Sequence, residues 1–284
     1  MAKDIFVKSL RTIDGSLFHH TLTEADGSIL TFGPEAHSHY EFFYLIKGDV
    51  TYVIEGKTYH IEPGDVIVVK VGEIHKLMID LNEEYERVVI QFDRTILPTY
   101  FSGPNDLFSL LDDSTLHKHV IKKDIVNKTS IPTIIKEIMG IFDKNTYWHP
   151  LLISESIKLL VEMNKIYSSQ YDERAIDATS KPIRDTIDYI NENIERRLSL
   201  DEISSNVFIS KFYLTRLFKL ETGMTINEYV TTKKMHRANE MIVSGMEPGE
   251  AANKVGYANY SSFLYNYKKV FGMTPLQNRK NIKQ

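Results

Sequence analysis

Two sets of side chains in this 284-residue sequence have types and spacings suited to chemistry. In the first, Lys211, Phe212, Thr215, Arg216 and Lys219 lie opposite Leu214, Leu217 and Phe218 at helical spacing. Tyr260, Ser261, Ser262, Tyr265 and Lys268 lie in the same way opposite Phe263, Tyr267 and Val270. Arginine bonds guanine in bidentate fashion, Ser and Thr adapt to several bases, and apolar atoms meet the thymine methyl. Flanking lysines suit phosphates, which give affinity rather than sequence choice. The chemistry implied is contact with duplex DNA. In the second set, His37, His39 and Glu41 alternate along an expected strand and so share one face, with His75 following Gly72 later. Glu41 is followed on that face by Phe43 and Leu45, which marks it as an interior. Tyr44 and Tyr52 could stack on or bond a sugar. His37, His39, Glu41, His75, Tyr44 and Tyr52 are read as contacts to a small effector. Plain hydrogen-bonded structure is one alternative. A divalent metal on His37, His39, Glu41 and His75 is the other, although no cofactor is assigned.

The elements that must carry these residues are legible in part. Phe218-Lys219-Leu220-Glu221-Thr222-Gly223-Met224-Thr225 recurs 49 residues later as Tyr267-Lys268-Lys269-Val270-Phe271-Gly272-Met273-Thr274. A repeated unit counts copies of one supersecondary element, here a helix-turn-helix whose second helix enters the major groove. Seven helices are expected from Pro182 onward, at about 183–196, from Leu200, 211–222, 226–244, from Pro248, 260–271 and from Pro275. Ser199 with Glu202 suits a capping box, and Gly223 and Gly272 suit helix ends. Residues 17–95 read as short strands with turns at Gly33-Pro34, Glu55-Gly56 and Pro63-Gly64, a sandwich or small barrel. A helix over 151–167 carries Ile153, Ile157, Leu160 and Val161 on a stripe, and residues 168–181 lose periodicity like a linker.

The net charge of −4 hides an asymmetry. Residues 181–284 hold 16 Lys and Arg against 11 Asp and Glu, while the rest of the chain is acidic. Only the C-terminal part is therefore expected to meet a polyanion. No cysteine is present, which excludes disulfides and thiolate metal sites, and a cytoplasmic location is expected. No apolar run suits a membrane span.

The C-terminal third resembles the DNA-binding domain of the AraC/XylS family of bacterial transcription regulators. The resemblance rests on Leu200-Asp201-Glu202-Ile203, Tyr213-Leu214-Thr215-Arg216-Leu217-Phe218-Lys219 and Gly223-Met224-Thr225. It continues through Ala252-Asn253-Lys254-Val255-Gly256-Tyr257, Ser262-Phe263, Tyr267-Lys268-Lys269, Phe271-Gly272-Met273-Thr274-Pro275 and Arg279. It implies two recognition helices in successive major grooves, promoter control, and a dimer formed through residues 151–167. RNA polymerase is a further partner if the protein activates. Four positions depart from the family pattern: Ser204 for Ala, Phe208 for a small residue, Leu264-Tyr265 for Ser-Arg, and Asn278 for Tyr. The segment around His37-Ser38-His39, with Pro63-Gly64-Asp65 and His75, resembles a cupin barrel. Glu41 stands closer to His39 than in metal-binding cupins, which favours an effector over a metal.

The resulting expectation is an α+β multidomain chain. Residues 1–103 form a cupin-like effector barrel, 104–170 a helical connector and dimerisation region, 171–181 a linker, and 182–284 an all-α domain with two helix-turn-helix units. The function expected is that of a DNA-binding regulator responding to a small effector, a sugar or related metabolite. The alternatives are a metal-dependent cupin enzyme fused to a DNA-binding module, and a constitutive regulator with a vestigial barrel.

Overall fold

The computed structural model describes residues 4–11, 17–92, 94, 106–112, 119–141, 147–169 and 180–281. Ten strands precede or interleave with the first helices: β1 Asp4–Arg11, β2 Leu17–Thr23, β3 Ile29–Thr31, β4 Tyr40–Lys47, β5 Asp49–Ile54, β6 Lys57–Ile61, β7 Val66–Val69, β8 His75–Asp80, β9 Tyr85–Phe92 and β10 Val120–Ile121. They form two antiparallel sheets, ordered β1-β2-β9-β4-β7-β10 and β3-β8-β5-β6. The expected barrel is thus a two-sheet sandwich that does not close among the described residues.

Strand β4 shows why the sheets stack. Glu41, Phe43 and Leu45 face the second sheet, while Tyr40, Phe42, Tyr44 and Ile46 face the other way. Side-chain parity alternates along a strand, so a sheet covered on both faces needs apolar residues on both. Between the sheets, Phe43, Leu45, Tyr52, Tyr59, Ile67 and Leu77 fill the core. The interior expected to hold a ligand is therefore packed with side chains around its middle.

The outer face of the six-stranded sheet is covered by helices α1 Ser109–Asp112, α2 Lys123–Val126, α3 Ile131–Ile141 and α4 Trp148–Ser168. On α4 the buried residues include Leu152, Leu159, Leu160, Met163 and Ile166. The stripe expected from sequence overlaps this face in part: Leu160 is buried, Ile153 and Ile157 are half-buried against the same core, and Val161 is exposed. Much of the apolar surface of α4 is thus satisfied within the chain. The linker expected at 171–181 lies almost wholly outside the described residues.

The C-terminal part contains α5 Lys181–Glu192, α6 Leu200–Asn206, α7 Lys211–Thr222, α8 Ile226–Val243, α9 Pro248–Lys254, α10 Tyr260–Phe271 and α11 Pro275–Asn281. Pro182 sits in the first turn of α5, where its missing N–H costs nothing. Ser199, Ser210 and Asn259 each accept a backbone N–H at a helix start. Two apolar clusters, centred on Phe218 and Tyr229 and on Phe263 and Tyr267, divide this part into halves. Helix α8 contributes to both; at about 1.5 Å per residue it is roughly 27 Å long.

Candidate functional site

The 49-residue repeat is a structural repeat. Helices α7 and α10 each have 12 residues and end on a glycine in the left-handed region, Gly223 at φ 82° and Gly272 at φ 71°. The matching continues into the next turn. Thr225 and Glu228 form a capping box at the start of α8, and Thr274 bonds Gln277 in the same arrangement at the start of α11. Each pair starts on the last residue of its repeated octet, Thr225 or Thr274, and ends three residues beyond it, at Glu228 or Gln277.

Both second helices present the expected faces. Leu214 and Phe218 are buried, as are Phe263 and Tyr267. Lys211, Phe212, Arg216, Lys219, Tyr260, Ser261, Ser262, Tyr265 and Lys268 are exposed, and Thr215 is half-buried. Phe212 and Tyr265 are 81% and 70% exposed. Large aromatics so open to water suit contact with a partner rather than packing. Lys211 pairs with Asp201, which anchors the start of α7 to α6.

Two of the four departures from the family pattern, Phe208 and Asn278, stand out in the local geometry. Phe208, 94% exposed, takes φ 57° at the turn between α6 and α7, a conformation in which a residue without Cβ is strain-free. The Asn278 side chain donates to Asn239 Oδ1 at 2.9 Å and to Tyr267 Oη at 3.0 Å, tying α11 to α8 and α10. Gly256 has φ 80°, and a Cβ there would lie 2.7 Å from the Arg196–Arg197 backbone, so the chain admits only glycine at this crossing. Nearby, the buried Lys234 ammonium donates to the carbonyls of Ile194, Arg196 and Val255. Burial, then Arg196, brings its pKa down to about 8.

In the sandwich, His37, Glu41, His75 and Tyr52 come together where β4 and β8 begin. The Tyr52 hydroxyl donates to Glu41 Oε1 at 2.7 Å, and His37 Nε2 lies 3.3 Å from Glu41 Oε2. The His37 and His75 rings are 4.9 Å apart, and Tyr52 stacks on His75 at 6.0 Å. Burial would raise the Glu41 pKa; His37, His75 and Gln91 outweigh it and hold the group low. Sequence reasoning missed Gln91, whose amide donates to Glu41 Oε2 at 2.7 Å from the neighbouring strand β9. His39 stays outside, with its ring 6.4 Å from that of His37, and its carbonyl holds His37 Nδ1. Tyr44 is a correction: strand parity puts it on the helix-covered face, away from Glu41.

A third set of residues joins the two halves of the chain. The β5–β6 hairpin turns at Glu55-Gly56, with φ 46° and 73°. Two successive positive φ values are the geometry of a tight primed turn, which Asn-Gly fills most easily. Glutamate there is strained, and its carboxylate reaches the helical part. It accepts from the Tyr229 hydroxyl at 2.5 Å, Asn191 Nδ2 at 2.9 Å and Lys233 Nζ at 3.1 Å, and from the Ile74 N–H at 2.7 Å. Burial opposes ionisation of Glu55, but Lys233 and these donors keep its pKa below the usual value. The Ile74 side chain packs into the Phe218–Tyr229 cluster. Lys76 Nζ donates to the Glu221 carbonyl at 2.8 Å, and Gly72 abuts His236. A cleft of about 520 Å³ opens beside this contact, with Glu55, Lys233, His236 and Glu240 among its walls. The sequence marked Glu55 only as part of a turn, because the side chains that bond its carboxylate lie 136 to 178 residues away.

A family model for an AraC-like ligand binding domain matches residues 18–140, and one for a helix-turn-helix domain matches residues 203–281. The Transposon Tn10 TetD protein of Escherichia coli is 30% identical over 113 residues, 39% of this chain and 80% of that protein. This chain belongs to the AraC family. The AraC-type chain is also similar along most of its length to two operon regulators. The lactose operon transcription activator of Staphylococcus xylosus is 24% identical over 242 residues, covering 83% of this chain and 81% of that protein. The Msm operon regulatory protein of Streptococcus mutans is 22% identical over 279 residues, covering 96% and 95%. The protein is an AraC-type, DNA-binding transcription regulator with an N-terminal ligand-binding domain. None of its described helices is long and apolar enough to cross a membrane.

Proposed function

We propose that this AraC-family regulator reads two successive major grooves with α7 and α10, and that a sugar or related metabolite bound in the sandwich controls it. Lys211, Phe212, Thr215, Arg216 and Lys219 would contact one groove, and Tyr260, Ser261, Ser262, Tyr265 and Lys268 the next. The observation that carries this reading is the pair of equal helices with outward aromatic and basic faces, joined through α8. Arg216 would read a base, while Lys219 and Lys268 would meet phosphates. Tyr265 would give the second groove a more apolar contact than the family's arginine.

The effector would bind at His37, Glu41, His75 and Tyr52, where a polar, partly open group sits at the end of the packed sandwich. The sugar class is supported by the relative named for the lactose operon. A ligand there acts next to the interface, since His75 directly follows Ile74, which Glu55 holds. A regulator requires that its ligand bind two states unequally. The Glu55 contact would be one such state, and its release the other.

The chain would work in the cytoplasm as a homodimer, pairing through the half-open Ile153, Ile157 and Val161 edge of α4. RNA polymerase is the further partner if the bound protein activates. No catalytic residue is assigned. The test is a gel-shift titration on genomic fragments recovered with the protein, repeated over a panel of sugars. A sugar that changes affinity for one recovered site, with no change on random DNA, supports the reading. Equal affinity for all fragments would refute it.

A further inference from the structure

We propose that His37, Glu41 and His75 hold a divalent transition-metal ion, which completes the effector site. This deepens the effector-site reading and rests on its location. One ligand atom from each of the three residues lies within 4.8 Å of the others. Zinc–nitrogen and zinc–oxygen bonds are about 2.0–2.2 Å, so side-chain shifts of roughly 1 Å would close such a triangle around an ion.

The hydrogen bonds behind the two imidazoles decide what the front atoms offer. His37 Nδ1 lies 2.9 Å from the His39 carbonyl, and His75 Nδ1 lies 3.0 Å from the Glu73 carbonyl. A carbonyl only accepts, so both Nδ1 atoms carry hydrogen. That leaves Nε2 of each ring as the atom available to an ion. His37 Nε2 meets Glu41 Oε2 at 3.3 Å. His75 Nε2 is buried without a hydrogen-bond partner among the described residues. A carboxylate only accepts, so an ion here would replace the hydrogen that His37 Nε2 shares with Glu41, and it would satisfy the buried His75 nitrogen, which is otherwise costly to leave unpaired. An Nδ1–H bound to a backbone carbonyl is also the arrangement that orients metal-binding imidazoles.

The remaining contacts suit the same role. Tyr52 and Gln91 fix the Glu41 carboxylate from behind. Glu35 Oε1, on a mostly exposed side chain, lies 3.7 Å from His75 Nε2 and can approach as a further ligand. Two imidazoles and one carboxylate favour Zn, Fe, Mn, Co or Ni over the all-oxygen sets of Ca and Mg. Three protein ligands leave positions open for an oxygen donor. The effector class that follows is a chelating one, with a carboxylate or adjacent hydroxyls.

The test uses the full chain, stripped with a chelator and titrated with Co(II), then with Zn(II). One equivalent of Co(II) should bind with visible absorption and be displaced by Zn(II). His75→Ala, His37→Ala and Glu41→Gln should each weaken binding at least tenfold, while His39→Ala should retain it. His37 is the most exposed ligand, so His37→Ala keeps the test valid if His75→Ala misfolds. Absence of a saturable equivalent, or unchanged affinity in folded His37→Ala, overturns the proposal. A sugar that raises the melting temperature equally with and without metal overturns the ion's role in effector binding and leaves the regulator reading intact.

Discussion

The Glu55 carboxylate accepts a hydrogen bond from the Tyr229 hydroxyl, joining a hairpin turn of the sandwich to the spacer helix of the DNA-binding part. Glu55 takes up a left-handed turn position to do this, and such strain persists only where the surroundings over-determine it. Removing one member of a buried charged pair leaves its partner uncompensated, at about 3–5 kcal/mol. Glu55→Ala should therefore loosen the junction. Amide exchange should rise in 183–191 and 226–233 but not in 260–271. Combined with Tyr229→Phe, it should show a coupling energy above about 0.5 kcal/mol in a double-mutant cycle. Additive single effects would mean that the two groups do not act together.

His236 gives the junction a pH dependence. The ring is buried against Phe271 with neither nitrogen hydrogen-bonded among the described residues. Burial first, then Lys233 and His37, push its pKa from 6.5 to about 3. Below pH 6.5 the unfolded chain takes up a proton that the folded chain refuses. Stability should thus fall as pH drops from 6.5 towards 3, by up to about 1.4 kcal/mol per unit. Above pH 6.5 this group has no effect. Urea titrations at pH 7, 6 and 5 should show the decline, and His236→Phe should flatten it. An unchanged slope in that variant would assign the dependence elsewhere.

Phe208 offers the opposite kind of test. Its φ of 57° favours glycine, and its side chain is exposed. Phe208→Gly should stabilise the protein by about 0.5–1 kcal/mol, the relief of left-handed strain exceeding the entropy glycine adds to the unfolded chain. A lower urea midpoint in the variant would show that the ring makes a contact outweighing the strain.

Arg216 and Lys219 share one exposed face but should differ in what they do. Arg216→Ala should lower affinity for the specific site by about 1–3 kcal/mol and relax sequence preference. Lys219→Ala should weaken specific and random DNA alike and reduce the salt slope by about one. Equal losses on both DNAs for Arg216→Ala would make it a phosphate contact.

Much of the helical part was legible because its signals are local. Ser199, Gly223 and Gly272 fix helix ends through bonds to residues within a few positions, so spacing alone reveals them. Strand parity likewise put Glu41, Phe43 and Leu45 on one face, and the same parity should have set Tyr44 apart. The α4 stripe is legible only in part, at Leu160, because both flanks of that helix are apolar and only packing in the folded chain chooses Leu152 and Leu159 over Ile153 and Val161. The roles of Glu55 and Gln91 were invisible because they depend on chain segments brought together by folding.

Footprinting on a recovered specific site measures the two-groove mode most directly. Purine methylation interference should reveal two clusters on one face of the duplex, about 10–10.5 base pairs apart. Arg216→Ala should erase one cluster and Tyr265→Ala with Lys268→Ala the other. A single cluster, or two on opposite faces that ignore these substitutions, would contradict binding through paired recognition helices.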